Sequence, residues 1–270
     1  MKIVTLSAIK GGVGKTTITY NYGEWLADQG KKVLLIDLDH QCNLSQTYEI
    51  YGESSNVGKI FDPDSDGNVK INHVKPNIDL LAGDMTLDEK EEKIENQSNK
   101  NMLLYLWLYH NIKKMNLEQY DYILIDTHPD FSLATKNAIV VSDDVLSPIT
   151  PSEHGYKAKW NLEIRFNNFK DEAIDFNTMK SFVTAKLYFI ANMLEKGRNS
   201  TKELLENLDK EREKGDNSCI GLLPRKEVFN RSTIDKIPLS EQAKKVAVYH
   251  ADKEFFDSVN QTFKDVTNKL

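Results

Sequence analysis

The segment Lys10-Gly11-Gly12-Val13-Gly14-Lys15-Thr16-Thr17 decides the fold. It follows an apolar run, Lys2 to Ala8, with the character of a strand. It opens a helical pattern from Gly14 to Gln29, which Gly30 closes as a C′ residue. A glycine-rich turn between strand and helix lets backbone N–H groups turn inward. The helix N-terminus adds positive potential, and the two together cradle phosphate. In that setting Lys15 bridges the β- and γ-phosphates of a nucleotide, the Thr16 hydroxyl holds Mg2+, and Thr17 contacts the α-phosphate.

The same grammar repeats outward from this turn. Lys32 to Asp37 is an apolar run typical of a strand buried on both faces. Ile78 to Leu81, Tyr122 to Asp126, Val145 to Ile149, Phe182 to Ala191 and Cys219 to Leu223 read as further strands. Helical patterns lie between and after them, at Asn101 to Met115, Ser200 to Lys214 and Glu254 to Leu270. Thr150-Pro151-Ser152-Glu153 reads as a capping box with proline at N1, opening a helix to about Lys170. Asp62 to Asn72 reads as a surface loop, and Glu89 to Lys100, charged and polar, as a mobile segment. Strands alternating with helices predict an α/β fold, a mostly parallel sheet with helices on both faces, in one domain over 1–270.

Composition bounds the function classes. The net charge of −6 argues against whole-surface attraction to nucleic acid but leaves room for a local basic patch. Cys42 and Cys219 lie far apart without metal-ligand spacing, and two isolated thiols fit a reducing cytoplasm. The N-terminal apolar run passes straight into the glycine turn rather than a cleavage site. No apolar stretch approaches the roughly 20 residues that cross a bilayer.

The strict pattern G-x-x-x-x-G-K-[ST] fails, because Ile9 stands at its first glycine; Lys10 follows instead. K-G-G-x-G-K-T resembles the deviant Walker A motif of the ParA and MinD group of ATPases. The resemblance implies that Lys10 reaches across a dimer interface to the partner's ATP, so that the active form is a nucleotide-sandwich dimer. A second cation there neutralises charge on the transferring phosphoryl group. Asp37-Leu38-Asp39-His40-Gln41-Cys42-Asn43 resembles the family's D-x-D-P-Q-x-N segment. By that match Asp39 orients the attacking water and Asp37 sits near Mg2+. His40 stands where relatives have proline, and a structural role is expected of it. Tyr122 to Asp126 resembles a Walker B strand, with Asp126 binding Mg2+ through a water. The following Thr127-His128-Pro129-Asp130 departs from the family's usual T-P-P.

The resemblance extends through Val145 to Glu153 and through Cys219 to Gln242, and implies that Asn192 and the backbone at Pro224 read adenine. The phosphate loop begins at residue 10, as in the short ParA form of the Soj type without an N-terminal winged helix. From Arg225 to Lys245, six basic residues stand against three acidic ones. Arg225, Lys226, Arg231, Lys244 and Lys245 are therefore candidates for contacting DNA phosphates, and Lys157, Lys159, Arg165 and Lys170 form a second possible patch. The function this implies is an ATPase of plasmid or chromosome partition that uses ATP and Mg2+. It binds non-specific DNA as a homodimer, is stimulated by a ParB-like centromere-binding protein, and resides in the cytoplasm on the nucleoid. A MinD-like membrane-surface ATPase would need the last helix as a basic amphipathic tail, but its charges are mixed and its stripe reads as core. An iron–sulfur reductase would need bridging cysteines that this chain lacks. A small-molecule ATP-dependent enzyme on the same fold remains an alternative. Residues 84 to 118 carry no assignable task.

Overall fold

Side chains alternate between faces with period two along a strand, so the continuous apolar runs of the central strands supply both faces of one sheet. The computed structural model describes residues 1–270, the side chains of 153 and 154 excepted. In chain order the strands are β1 (Lys2–Leu6), β2 (Val33–Leu38), β3 (Ile71–Lys75), β4 (Ile78–Leu81), β5 (Tyr122–Thr127), β6 (Asp144–Ile149), β7 (Ile174–Asp175), β8 (Lys180–Ser181), β9 (Lys186–Leu194) and β10 (Cys219–Pro224). The helices are α1 (Lys15–Asp28), α2 (Asn43–Thr47), α3 (Gly58–Phe61), α4 (Leu87–Ile94), α5 (Leu103–Asn111), α6 (Leu133–Val141), α7 (Glu153–Glu172), α8 (Asn199–Glu213), α9 (Glu227–Ile234), α10 (Leu239–Gln242), α11 (Val246–Ala251) and α12 (Lys253–Lys269).

The eight-stranded sheet runs β10-β9-β6-β1-β5-β2-β4-β3. All its pairings are parallel except that of β3 with β4. On one face Val4, Leu6, Val33, Leu35 and Leu124 pack with Ile18, Tyr22 and Leu26 of α1 and with Phe256, Val259, Phe263 and Val266 of α12. On the other, Ile3, Leu34, Ile36, Ile123 and Ile125 pack with residues of α4, α5 and α6. Each fully buried Leu, Ile or Phe contributes about 1.5–3 kcal/mol of transfer free energy. This double burial explains why the central strands read as continuous apolar runs. The α12 stripe is core, so it is not available as a surface anchor, and among the described residues no helix is long and apolar enough to cross a membrane.

Four expectations need correction. Glu89 to Lys100 is not a mobile segment throughout, because α4 covers its first half. Leu87 and Ile94 bury against the sheet, and Lys90 pairs with Asp84. The expected loop at Asp62 to Asn72 ends in an antiparallel edge strand, β3, paired with β4. The strand expected from Phe182 begins at Lys186, since Lys180–Ser181 pairs with Ile174–Asp175 in a separate ribbon. The cap of α7 is Ser152, whose Oγ accepts from Gly155 N at 2.9 Å, so Pro151 precedes the cap instead of occupying N1.

Candidate phosphate-binding site

Parallel pairing brings the C-terminal ends of β1, β2, β5, β9 and β10 to one edge, where open α/β sheets bind ligands. The loop after β1 turns on Gly12 and Gly14, with φ of 71° and 90°. Gly14 caps α1 with no side-chain hydrogen bond, and the first turn carries no acidic residue. The N-terminal amides of α1 therefore face the loop with a bare positive end suited to an anion. A Cβ on Gly14 would lie 2.6 Å from Asn192 Nδ2. Gly14→Ala is expected to destabilise the fold by about 1–2 kcal/mol from backbone conformation alone. It also pushes Asn192 off the loop. Urea denaturation alongside nucleotide titration checks both effects.

Lys15 is buried at the mouth of this loop, and burial lowers its pKa against the pull of Asp126, Asp39 and Asp130. Register sets Asp37 beside Asp126 on neighbouring strands. Asp126 accepts from Thr16 Oγ1 at 2.6 Å and from Thr19 Oγ1 at 3.2 Å. Asp37 accepts from Ser45 Oγ at 2.7 Å and from Ser45 N at 2.9 Å. Asp39 Oδ1 accepts from Gln41 N at 2.9 Å. Asn192, at the end of β9, donates from Nδ2 to Val13 O at 2.8 Å, while its buried Oδ1 has no partner among the described residues. Pro224 ends β10 in register with Leu194. The structure thus brings together Gly11 to Thr17, Asp37, Asp39, Asp126 and Asn192 around one loop, with Pro224 on the adjacent strand end. Lys10 lies at the rim, its Nζ 3.3 Å from Ser152 Oγ.

These residues fit a magnesium-bound nucleotide. Two buried carboxylates in register, Asp37 and Asp126, and the Thr16 hydroxyl are the oxygen donors a hard dication takes, and Lys15 with the bare helix end suits phosphate. Burial pushes the Asp126 carboxyl up to about 7 and Asp37 up to about 6. Both sit above their unfolded values, so the native chain holds more protons than the unfolded chain across that interval. Stability without ligand is therefore expected to fall as pH rises from about 4 through about 7. Chemical denaturation across that range checks it, and Asp126→Asn should flatten the slope.

Motif reading missed the supports. Ser45 anchors Asp37, and its position eight residues on gave no signal because the bond depends on the turn into α2. An open cleft beside Thr16 and Thr17 is walled by Asn43, Gln46, Tyr51, Thr233, Ile234 and Lys236. His40 and His128, from separate strand ends, meet with tilted rings whose centroids are 4.2 Å apart.

The basic candidates are not assembled as the window count suggested. Arg225 pairs with Glu195 at 2.9 Å, Lys226 with Asp252 at 2.7 Å, Arg231 with Asp235 at 2.9 Å, and Lys244 with Asp28. Lys245 alone of the five has no ion pair among the described residues. Three of these acidic partners lie outside the counted stretch. Such exposed pairs are worth only about 0–1 kcal/mol, so phosphate can displace them. Lys159 leaves the DNA list altogether. It is 3% exposed, held by Glu163, Glu211 and Asp216, and lies 4.8 Å from the Phe189 ring centroid. Lys159→Met is expected to cost about 1–3 kcal/mol through the unpaired carboxylates it leaves. A wild-type urea midpoint would refute that.

The family model for an AAA domain, AAA_31, matches residues 1–178. The sporulation initiation inhibitor protein Soj of Bacillus subtilis is 34% identical over 154 residues, covering 55% of this chain and 58% of that protein. The chain spans about half the length of the curated relatives it matches, from 46% to 60% for the first three distinct ones. A crystal structure of a plasmid partition protein from Borrelia burgdorferi B31 bound to AMPPNP matches with a TM-score of 0.75 and 26% identity, covering 100% of this chain and 99% of that one. Cobyrinic acid a,c-diamide synthase from Mycobacterium smegmatis, with bound ADP and magnesium, matches at a TM-score of 0.70 and 17% identity over 94% of this chain and 96% of that one, which shows the shared fold alone.

Proposed function

The chain belongs to the AAA_31 family of AAA domains, and from that premise we propose that it is a partition ATPase of the ParA kind. The observation that carries this reading is the alignment of Asp37 with Asp126 beneath a loop holding Lys15 and Thr16, with Asp39 beside them. Partition proteins among the matched relatives support it. We take residues 1–270 as one domain, because β10 and α12 close against the sheet begun by β1.

In this reading Lys15 and the amides from Gly11 to Thr17 hold the phosphates of ATP. Thr16 and Asp126, with Asp37 behind them, hold Mg2+, which when bound neutralises charge on the phosphates. Asp39 orients the attacking water. Asn192 releases Val13 or uses its unpartnered Oδ1 to meet adenine, with the Pro224 backbone on the other side. Lys10, at the rim, is the cation that serves the partner subunit's nucleotide. The dimer so formed binds non-specific DNA through Arg225, Lys226, Arg231, Lys244 and Lys245. A ParB-like partner stimulates hydrolysis and release, which places the protein on the nucleoid in its ATP form. The buried stripe of α12 weighs against the membrane-surface alternative.

A DNA gel shift with ADP, ATP and a slowly hydrolysed ATP analogue tests the reading, at stated salt because phosphate contacts are salt-dependent. Retarded DNA is expected with ATP and the analogue and not with ADP. Equal retardation under all three conditions would defeat the nucleotide-switched cycle.

A further inference from the structure

His40 and His128 stand at the two positions where the family resemblance expects proline, and in space they meet. Their ring centroids are 4.2 Å apart with planes inclined by 30°. Asp39 joins them: one ligand atom from each of Asp39, His40 and His128 lies within 4.8 Å of the others.

We propose that Asp39, His40 and His128 form a binding site for a transition-metal dication of the zinc class, distinct from the magnesium position at Thr16 and Asp126. Two imidazoles and one carboxylate suit zinc, whereas magnesium prefers oxygen ligands and retained waters. Three protein ligands leave a fourth tetrahedral position open to water or a phosphate oxygen. Ligand atoms about 2.0–2.2 Å from a tetrahedral zinc are roughly 3.3–3.6 Å apart. The present separations, up to 4.8 Å, must therefore tighten by about 1–1.5 Å. Small side-chain rotations of two half-buried histidines supply that movement, and their partial exposure gives the ion an entry path.

The surroundings are those of a metal-binding histidine. His128 Nδ1 lies 3.0 Å from Asp130 Oδ2, which leaves Nε2 to ligate. Asp130 is itself held by Ser132 N at 3.0 Å. This carboxylate–histidine arrangement fixes the tautomer and raises ligand basicity. Asp39 Oδ1 is bonded to Gln41 N, leaving Oδ2 for a metal. Glu91 and Asp130 lie near the cluster and add to a local excess of carboxylates that favours a cation there. Occupancy would take Asp39 away from its water and slow hydrolysis. That consequence rests on the ATPase reading; the site itself does not.

Cobalt(II) titrated into nucleotide-free protein tests the site, because tetrahedral cobalt absorbs in the visible. A saturable band is expected, displaced by an equivalent of Zn2+. It should weaken by at least about 100-fold in His40→Asn and in His128→Asn, and by about 10–100-fold in Asp130→Asn. Cys42→Ser is expected to retain it. Each variant's binding of a fluorescent ATP analogue with Mg2+ reports that the fold is intact. No band in the wild type, or a band that survives both histidine replacements, overturns the site. Loss of the band in Cys42→Ser assigns the metal to a thiol and overturns it equally. A wild type that binds cobalt but no ATP analogue leaves the site standing and defeats the ATPase reading instead.

Discussion

Lys15→Ala is expected to lower affinity for ATP by at least about 100-fold and to bring hydrolysis to background. Charge-assisted donors aimed at a transferring phosphoryl group are each worth about 10²–10³ in rate, and Lys15 is the one cation buried at the loop among the described residues. The ammonium already bears the cost of burial, since its pKa is lowered by desolvation. Its removal leaves Asp126, Asp39 and Asp130 without that counter-charge, and anionic phosphate then meets carboxylates. The substitution should leave the sheet intact, because among the described residues no core hydrogen bond depends on the Lys15 side chain. Fluorescent-nucleotide titration and phosphate release measure the loss. Affinity within about threefold of wild type would mean that the triphosphate lies elsewhere.

Lys10→Ala should separate binding from assembly. Its Nζ reaches Ser152 Oγ at the rim, away from the buried Lys15, so a single subunit's hold on ATP is expected to change by no more than about twofold. ATP-dependent dimers, in contrast, should disappear in sedimentation velocity at concentrations where the wild type is dimeric. Hydrolysis should fall with them, because one desolvated cation over a transferring phosphoryl group is lost from each site. Wild-type dimerisation by this variant would remove Lys10 from the interface. Weakened ATP binding by the monomer would place it in its own subunit's site. Lys15→Ala and Lys10→Ala thus fail in different ways, and the pair distinguishes a phosphate clamp in cis from one in trans.

Much of the site could be read along the chain because its signals are local. A glycine at φ of 90° between a strand and a helix is written into the residue type, and so is a lysine one position later. Continuous apolar runs at β2 and β5 announce strands buried on both faces. Other features were illegible for a physical reason. A basic window records only its own charges, whereas Arg225, Lys226 and Lys244 find their carboxylates on distant segments. The charged stretch after Leu87 looks solvated, yet two apolar residues a helical stretch apart suffice to seat it. Lys159 looks like any surface lysine until three carboxylates close around it.

Residue type and spacing alone determined that this chain makes a phosphate-cradling turn at the end of its first strand, inside an alternating α/β chain. Such turns and periodicities act over a few residues and need no partner from elsewhere. Only the tertiary structure decided that Asp37 and Asp126 stand in register, that Ser45 fixes the first of them, that Asn192 seats on Val13, and that His40 meets His128. Those meetings depend on strand order and register. These are set by the burial of both sheet faces together, which no short stretch of sequence contains.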